Sequence, residues 1–227
     1  PMLIVKELTK HFPVGGGLPG RRSAVHAADG VSFDVMKGET LGIVGESGCG
    51  KSTTARLLMH LIAPDAGEVW LAGRRLGDPG GFTLRELRRN MQMVFQDSYA
   101  SLNPRLSVQD SIAFGPRVHG VSRQKAIEKA RELLALVGLD PHQFSRRYPH
   151  ELSGGQRQRV NIARALALDP NLVILDEAVS ALDKSIEAQV LNLLMDLKRD
   201  LGLTYLFISH DLNVVQYVSD HMLVMYL

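Results

Sequence analysis

The chain has 227 residues, 45% of them hydrophobic and 22% charged, with a formal net charge of +2. That length allows one large domain or two small ones around a substantial core, and so small a charge excess argues against a concentrated nucleic-acid surface. The single Cys49 excludes an intrachain disulfide and fits a reducing compartment, and no apolar run approaches the roughly 18–20 residues that span a bilayer. Residues Pro1–Lys6 lack a basic-then-apolar signal pattern, so work at a membrane would need a docking partner. Pro1 ahead of Met2 and the stop at Leu227 lead to the expectation of a fragment.

In chain order, Leu3–Leu8 and Val31–Val35 read as strands. Pro13–Arg22 between them, rich in Gly, Pro and Arg, reads as a flexible loop. Thr40–Val44 is a short apolar run of the buried-strand kind, Gly45–Gly50 breaks it, and Lys51–Ile62 has helical spacing. Glu68–Leu71 is a further strand, Leu84–Asn90 a short basic helix and Met91–Phe95 a strand. Helical patterning then fills Val108–Val137, with Ser122 as a cap before Lys125–Val137. Ser153 opens a helix to about Ala167, and Leu172–Leu175 is a buried strand ending in Asp176-Glu177. Lys184–Leu201 is an amphipathic helix, Thr204–Ser209 a strand, Asp211–Ser219 a helix and Met222–Tyr226 a last strand. Strands alternating with helices predict an α/β core with a parallel sheet, into which the helical stretch near 97–150 is inserted. No internal repeat or low-complexity tract is evident.

Three segments carry chemistry. Gly45-Glu46-Ser47-Gly48-Cys49-Gly50-Lys51-Ser52 matches G-x-x-x-x-G-K-[ST] in full. Glycines let backbone N–H groups wrap phosphates, and the following helix adds its positive end. Lys51 then reaches the β- and γ-phosphates, and Ser52 ligates Mg²⁺. Leu172–Leu175 delivers Asp176, suited to hold Mg²⁺ through water, and Glu177, suited to act as general base on a water. On their own these could be two surface acids at a strand end. Leu152-Ser153-Gly154-Gly155-Gln156 offers a hydroxyl, bare N–H groups and a helix N-terminus, a second anion site. One triphosphate does not need two such sites, so the second would serve another subunit's nucleotide. An ordinary Ser N-cap is the alternative.

These motifs, in this order, resemble the ATP-binding cassette (ABC) transporter ATPases over essentially the whole chain. The resemblance implies a P-loop NTPase (RecA-like) core of parallel sheet, with an N-terminal antiparallel β subdomain and an inserted α-helical subdomain. The core would be 1–96 and 157–227, and the inserted part with the signature 97–156. It implies ATP and Mg²⁺ as ligands, with nucleotide contacts from Gly45, Glu46, Ser47, Gly48, Cys49, Gly50, Lys51, Ser52 and Thr53. Ser153, Gly155 and Gln156 would touch the partner's ATP. Ser52, Gln96 and Asp176 would attend the metal. Glu177, His210 and Gln96 would be catalytic, with Gln96 also linking the core to the inserted helices. Asp183 of Ser180–Asp183 would cross a dimer interface; otherwise it caps Lys184–Leu201. Phe12 resembles the aromatic that stacks on adenine, or else is a core residue, with His26 as runner-up for the stacking role.

Met93–Pro104, Arg147–Glu151 and His26–Phe33 are similar to the dipeptide, oligopeptide and nickel importer ATPases. That group implies peptide import at the cytoplasmic face of the cell membrane. It also implies two transmembrane permease subunits, a second identical or homologous ATPase and an extracytoplasmic substrate-binding protein as partners, without nucleic acid. Ala178 stands where many relatives have Pro, and the C-terminal extension usual in the group lies beyond Leu227. Import of nickel or another substrate is the alternative. A DNA-repair ATPase is disfavoured, because no sustained heptads or Cys cluster separate Gly45 from Leu152. A translation-associated protein would carry two cassettes. A lone copy is expected to bind nucleotide but hydrolyse it poorly.

Overall fold

The computed structural model describes residues 1–14 and 23–226. The elements are β1 (Leu3–Val14), β2 (Ser23–Val35), β3 (Thr40–Gly45), α1 (Lys51–Leu58), β4 (Ala66–Leu71), β5 (Arg74–Arg75), α2 (Leu84–Asn90) and β6 (Met91–Val94). There follow α3 (Val108–Val118), α4 (Arg123–Leu136), α5 (Pro141–Phe144), a 3₁₀ turn at Pro149–Glu151, α6 (Gly154–Leu166) and β7 (Leu172–Asp176). The chain continues with α7 (Lys184–Leu201), β8 (Thr204–Ile208), α8 (Leu212–Val218) and β9 (His221–Met225). By compactness it divides into one unit of Pro1–Arg88 with Thr204–Leu227, and another of Arg89–Leu203. The division expected at 96/97 and 156/157 follows the motifs, whereas these units follow backbone packing.

The first unit holds an antiparallel sheet in the order β2-β1-β4-β5. It also holds three parallel strands, with β3 paired to β8 on one side and β9 on the other. β3 and β8 are buried throughout apart from Gly45. They are therefore apolar on both faces, as parallel strands covered by helices must be. α8 lies so close to β3 that a Cβ on Gly42 would meet Val215 Cγ1 at 2.3 Å. Each fully buried Leu or Ile here contributes roughly 1.5–3 kcal/mol.

The second unit pairs β6 with β7 in parallel, Met91 opposite Leu172 through Val94 opposite Leu175. Its helices pack on apolar seams that bury Val108, Ile112 and Ala113 of α3, Ala126, Ala130 and Leu134 of α4, and Val160 and Ala163 of α6. Side chains cap α3, α4 and α5: Ser107 accepts from the Asp110 N–H, Ser122 from Lys125 and Asp140 from His142.

Some boundaries depart from the sequence expectation. The helix expected to Ile62 ends at Leu58, because the left-handed φ of 51° at His60 turns the chain out of the helix. β1 and β2 run well past Leu8 and upstream of Val31, since pairing through register shifts lengthens a ribbon beyond its apolar core. The loop expected at Pro13–Arg22 lies outside the described residues, except that Pro13 and Val14 continue β1.

Candidate functional site

In the first unit, buried β3 delivers the chain into the Gly45–Ser52 loop and α1 carries it away. Gly50 opens α1 at φ 94°, and a Cβ there would stand 1.9 Å from the Ala27 carbonyl oxygen. A Cβ on Gly45 would be 2.3 Å from the Met225 carbonyl oxygen. The loop is thus wedged against the backbones of β2 and β9, and glycine is required at both contacts. Lys51 is buried at 6% exposure. Its ammonium donates to the carbonyls of Gly45 (2.7 Å) and Glu46 (2.8 Å) and lies 3.7 Å from Cys49 Sγ. Glu46, Ser47 and Gly48 are exposed at the loop's crest, Cys49 is buried, and Ser52 and Thr53 are half-buried on the first turn of α1. No side chain caps α1. A buried cationic group in a glycine-rich loop, at a helix start without a side-chain cap, suits an anion.

In the same unit, β8 is followed by buried Ser209 and exposed His210. Ser209 Oγ accepts from the Asp211 N–H at 3.1 Å, and Asp211 caps α8. Phe12 is 37% exposed, with the Lys10 ammonium 5.6 Å from its ring centre. Its register partner is Val25, whereas His26 is partnered by His11. Consecutive strand residues point to opposite faces, so Phe12 and His26 lie on opposite faces of the ribbon and do not serve one base together. His26 is occupied by Asp29, whose carboxylate hydrogen bonds to His26 and His11 hold it below the usual carboxylate range.

In the second unit, Val94 of β6 is level with Leu175 of β7. Gln96 and Glu177, each two residues on, therefore leave the strand ends side by side, and Gln96 Nε2 donates to Glu177 Oε2 at 2.9 Å. Asp176 is 4% exposed and Glu177 half-buried. Glu177 has a φ of 48°, and its carbonyl accepts from both the N–H (3.2 Å) and the hydroxyl (2.9 Å) of Ser180. Such a left-handed conformation costs a non-glycine residue about 1–3 kcal/mol and concentrates where function demands an orientation. Sequence carried no sign of it.

The Leu152–Gln156 segment also belongs to this unit. Ser153 is exposed and caps α6 reciprocally: its hydroxyl accepts from the Gln156 N–H at 3.3 Å, and its own N–H donates to Gln156 Oε1 at 2.9 Å. The capping alternative is thus realised within the chain. Arg157 Nη1 holds the Leu152 carbonyl at 2.7 Å. Gly155 packs against α7 so tightly that a Cβ would stand 2.5 Å from Ile186 Cγ2. Asp183 is exposed at the N-cap position of α7, yet its side chain makes no capping hydrogen bond.

Sequence reasoning missed how α6 braces the segment after Gln96. Asn161 Nδ2 donates to the Ser98 carbonyl at 2.9 Å, and Arg164 donates to the Ser101 carbonyl. Burial lowers the Arg164 pKa from its ordinary value. Both contacts span 63 positions, beyond any local pattern. Also unforeseen was the His11–His26–Asp29 cluster, whose members are spread over two strands.

The family model described as "ABC transporter" matches residues 28–180. That is more than half of the chain, and the chain belongs to the ABC transporter family as an ATP-binding cassette. It is 52% identical to the oligopeptide transport ATP-binding protein AppF of Bacillus subtilis, over 100% of this chain and 69% of that protein. It is 51% identical to OppF of the same organism, over 99% and 72%. The glutathione import ATP-binding protein GsiA of Pectobacterium atrosepticum is 53% identical, but the chain spans only 37% of its length. Among solved structures, the dimeric MJ0796 bacterial ABC transporter cassette superposes with a TM-score of 0.84 at 29% identity, covering 99% of this chain and 94% of that one. The cbiO1 subunit of the Clostridium perfringens cbiONQ complex gives 0.82 at 27%, covering 99% and 84%.

Proposed function

We propose that this chain is the ATP-hydrolysing subunit of an importer for short peptides, peripheral to the cytoplasmic face of the membrane. The observation that carries hydrolysis is Glu177, held at φ 48° on the end of β7 with Gln96 bonded to its carboxylate. That placement suits a general base with a second polar group to orient the attacking water. Peptides as cargo are supported by relatives named for oligopeptides and for glutathione, itself a tripeptide.

In this reading Gly45–Thr53 cradles the triphosphate, Lys51 stabilises its β- and γ-oxygens, and Phe12 stacks on adenine. His210 holds the γ-phosphate. Ser52, Gln96 and Asp176 offer only oxygen ligands, the set that a hard cation such as Mg²⁺ prefers. When bound, that ion would neutralise phosphate charge. Ser153, Gly155 and Gln156 close over the nucleotide of a second cassette, identical or homologous, and closure excludes water from the reacting groups.

No helix among the described residues is long and apolar enough to cross a membrane. In this reading coupling passes to two permease subunits, with an extracytoplasmic binding protein supplying the peptide. The segment after Gln96, braced by α6, carries the motion. Glu177→Gln tests the central role: nucleotide affinity stays within a few-fold while turnover falls about 10²–10⁴-fold. Unchanged turnover in single-turnover assays would reject Glu177 as the base.

A further inference from the structure

Three side chains of metal-ligating type meet on the β1–β2 ribbon, outside the proposed ATP chemistry. His11 is the register partner of His26, so both imidazoles leave the ribbon on one face, and their rings stack with centroids 3.9 Å apart. Asp29 lies three positions beyond His26, a separation that would send it to the opposite face of a regular strand. The register prevents that. Lys10 faces Ala28 while His11 faces His26, so two steps along β2 answer one along β1. This extra residue is a bulge, and bulges re-aim the side chains beside them. The Asp29 carboxylate therefore returns to the histidine face, with Oδ1 3.3 Å from His11 Nε2 and Oδ2 3.2 Å from His26 Nδ1. Gly30, at φ 63°, turns the chain directly afterwards and is tied to Thr9 Oγ1 at 3.1 Å.

One ligand atom from each of the three residues lies within 4.8 Å of the others. Ligands on a tetrahedral ion at about 2.0–2.2 Å sit roughly 3.5 Å apart, so small side-chain rotations close the set. Two imidazole nitrogens and a carboxylate oxygen suit first-row divalent transition ions rather than Mg²⁺. The side chains are 35%, 58% and 64% exposed. An ion can enter from solvent, and water can fill its remaining positions.

We infer that His11, His26 and Asp29 form a binding site for a divalent transition-metal ion of the Zn²⁺ type. The ion cross-links β1 to β2, one residue from Phe12 and Val25 on the other face of the ribbon. The site does not depend on the ATPase reading, in which Phe12 rather than His26 stacks on adenine.

The test is competition for Zn²⁺ between the whole chain and a chromophoric chelator, with Mg²⁺ in excess and no nucleotide. One Zn²⁺ should bind per chain. Asp29→Asn should weaken that binding by more than about tenfold, and His11→Ala with His26→Ala should abolish it. Zn²⁺ should raise the Tm of the parent chain and not that of the double variant, with circular dichroism reporting that each variant is folded. Binding of undiminished affinity in the double variant would place the metal on other histidines or Cys49 and overturn the inference. Absence of a stoichiometric site in the parent chain would also overturn it. If the double variant fails to fold, Asp29→Asn, which keeps shape and removes charge, decides alone.

Discussion

Lys51 shows how one side chain serves both the loop and the ligand it is proposed to hold. Its buried ammonium ties the Gly45 and Glu46 carbonyls, so the loop keeps its shape around a positive charge. Lys51→Ala removes charge-assisted bonds worth about 1.5–3 kcal/mol each at most. ATP affinity should therefore fall roughly 10–100-fold in a nucleotide titration, and parental affinity would contradict the cradle. Gly50→Ala attacks the same loop sterically. A left-handed φ of 94° and a carbonyl oxygen 1.9 Å from the new Cβ should together lower unfolding free energy by about 1–3 kcal/mol in urea denaturation. These residues stand out in sequence because glycine, lysine and hydroxyl recur at the fixed intervals of a phosphate-binding pattern. Phe12 and His26 were not separable there, since only the register of β1 on β2 puts them on opposite faces.

Elements hold the remaining groups in place. α6 starts with its reciprocal Ser153–Gln156 cap, leans on α7 through Gly155 and grips the Ser98 and Ser101 carbonyls. One rigid helix thus connects the signature segment to the residues after Gln96. Gly155→Ala should destabilise by about 1–3 kcal/mol through overpacking on Ile186. Adding Ile186→Ala should restore part of that loss, and strict additivity in the double-mutant cycle would show that the two do not press on each other. The bounds of α2 and α7 were read to the residue, because a basic run and a long apolar stripe are local signals. Periodicity overran α1 at His60 and cut β1 and β2 short, because a positive φ and a bulged register are decided by contacts from elsewhere in the chain.

At the scale of the whole molecule, one chain carries the proposed phosphate loop in one compact unit and a capped, glycine-faced helix start in the other. Within the single chain the Ser153 cap is satisfied by Gln156, so it needs no partner to be stable. Its proposed second role begins only when another cassette brings a nucleotide; the similar MJ0796 cassette is dimeric. The exposed Asp183 carboxylate, without a capping bond at the start of α7, suits a contact across such a pair. Sequence suggested the pairing through its two anion sites, but the local pattern of Ser153 fitted a simple cap equally well, and the cap is indeed present. The most direct test is the rate of ATP hydrolysis per chain as a function of chain concentration at saturating ATP and Mg²⁺. Paired action predicts that turnover per chain rises with concentration, the total rate growing as the square of concentration while most chains are single. Turnover per chain that is constant down to the lowest concentration, with the chain verified as a monomer, would contradict it.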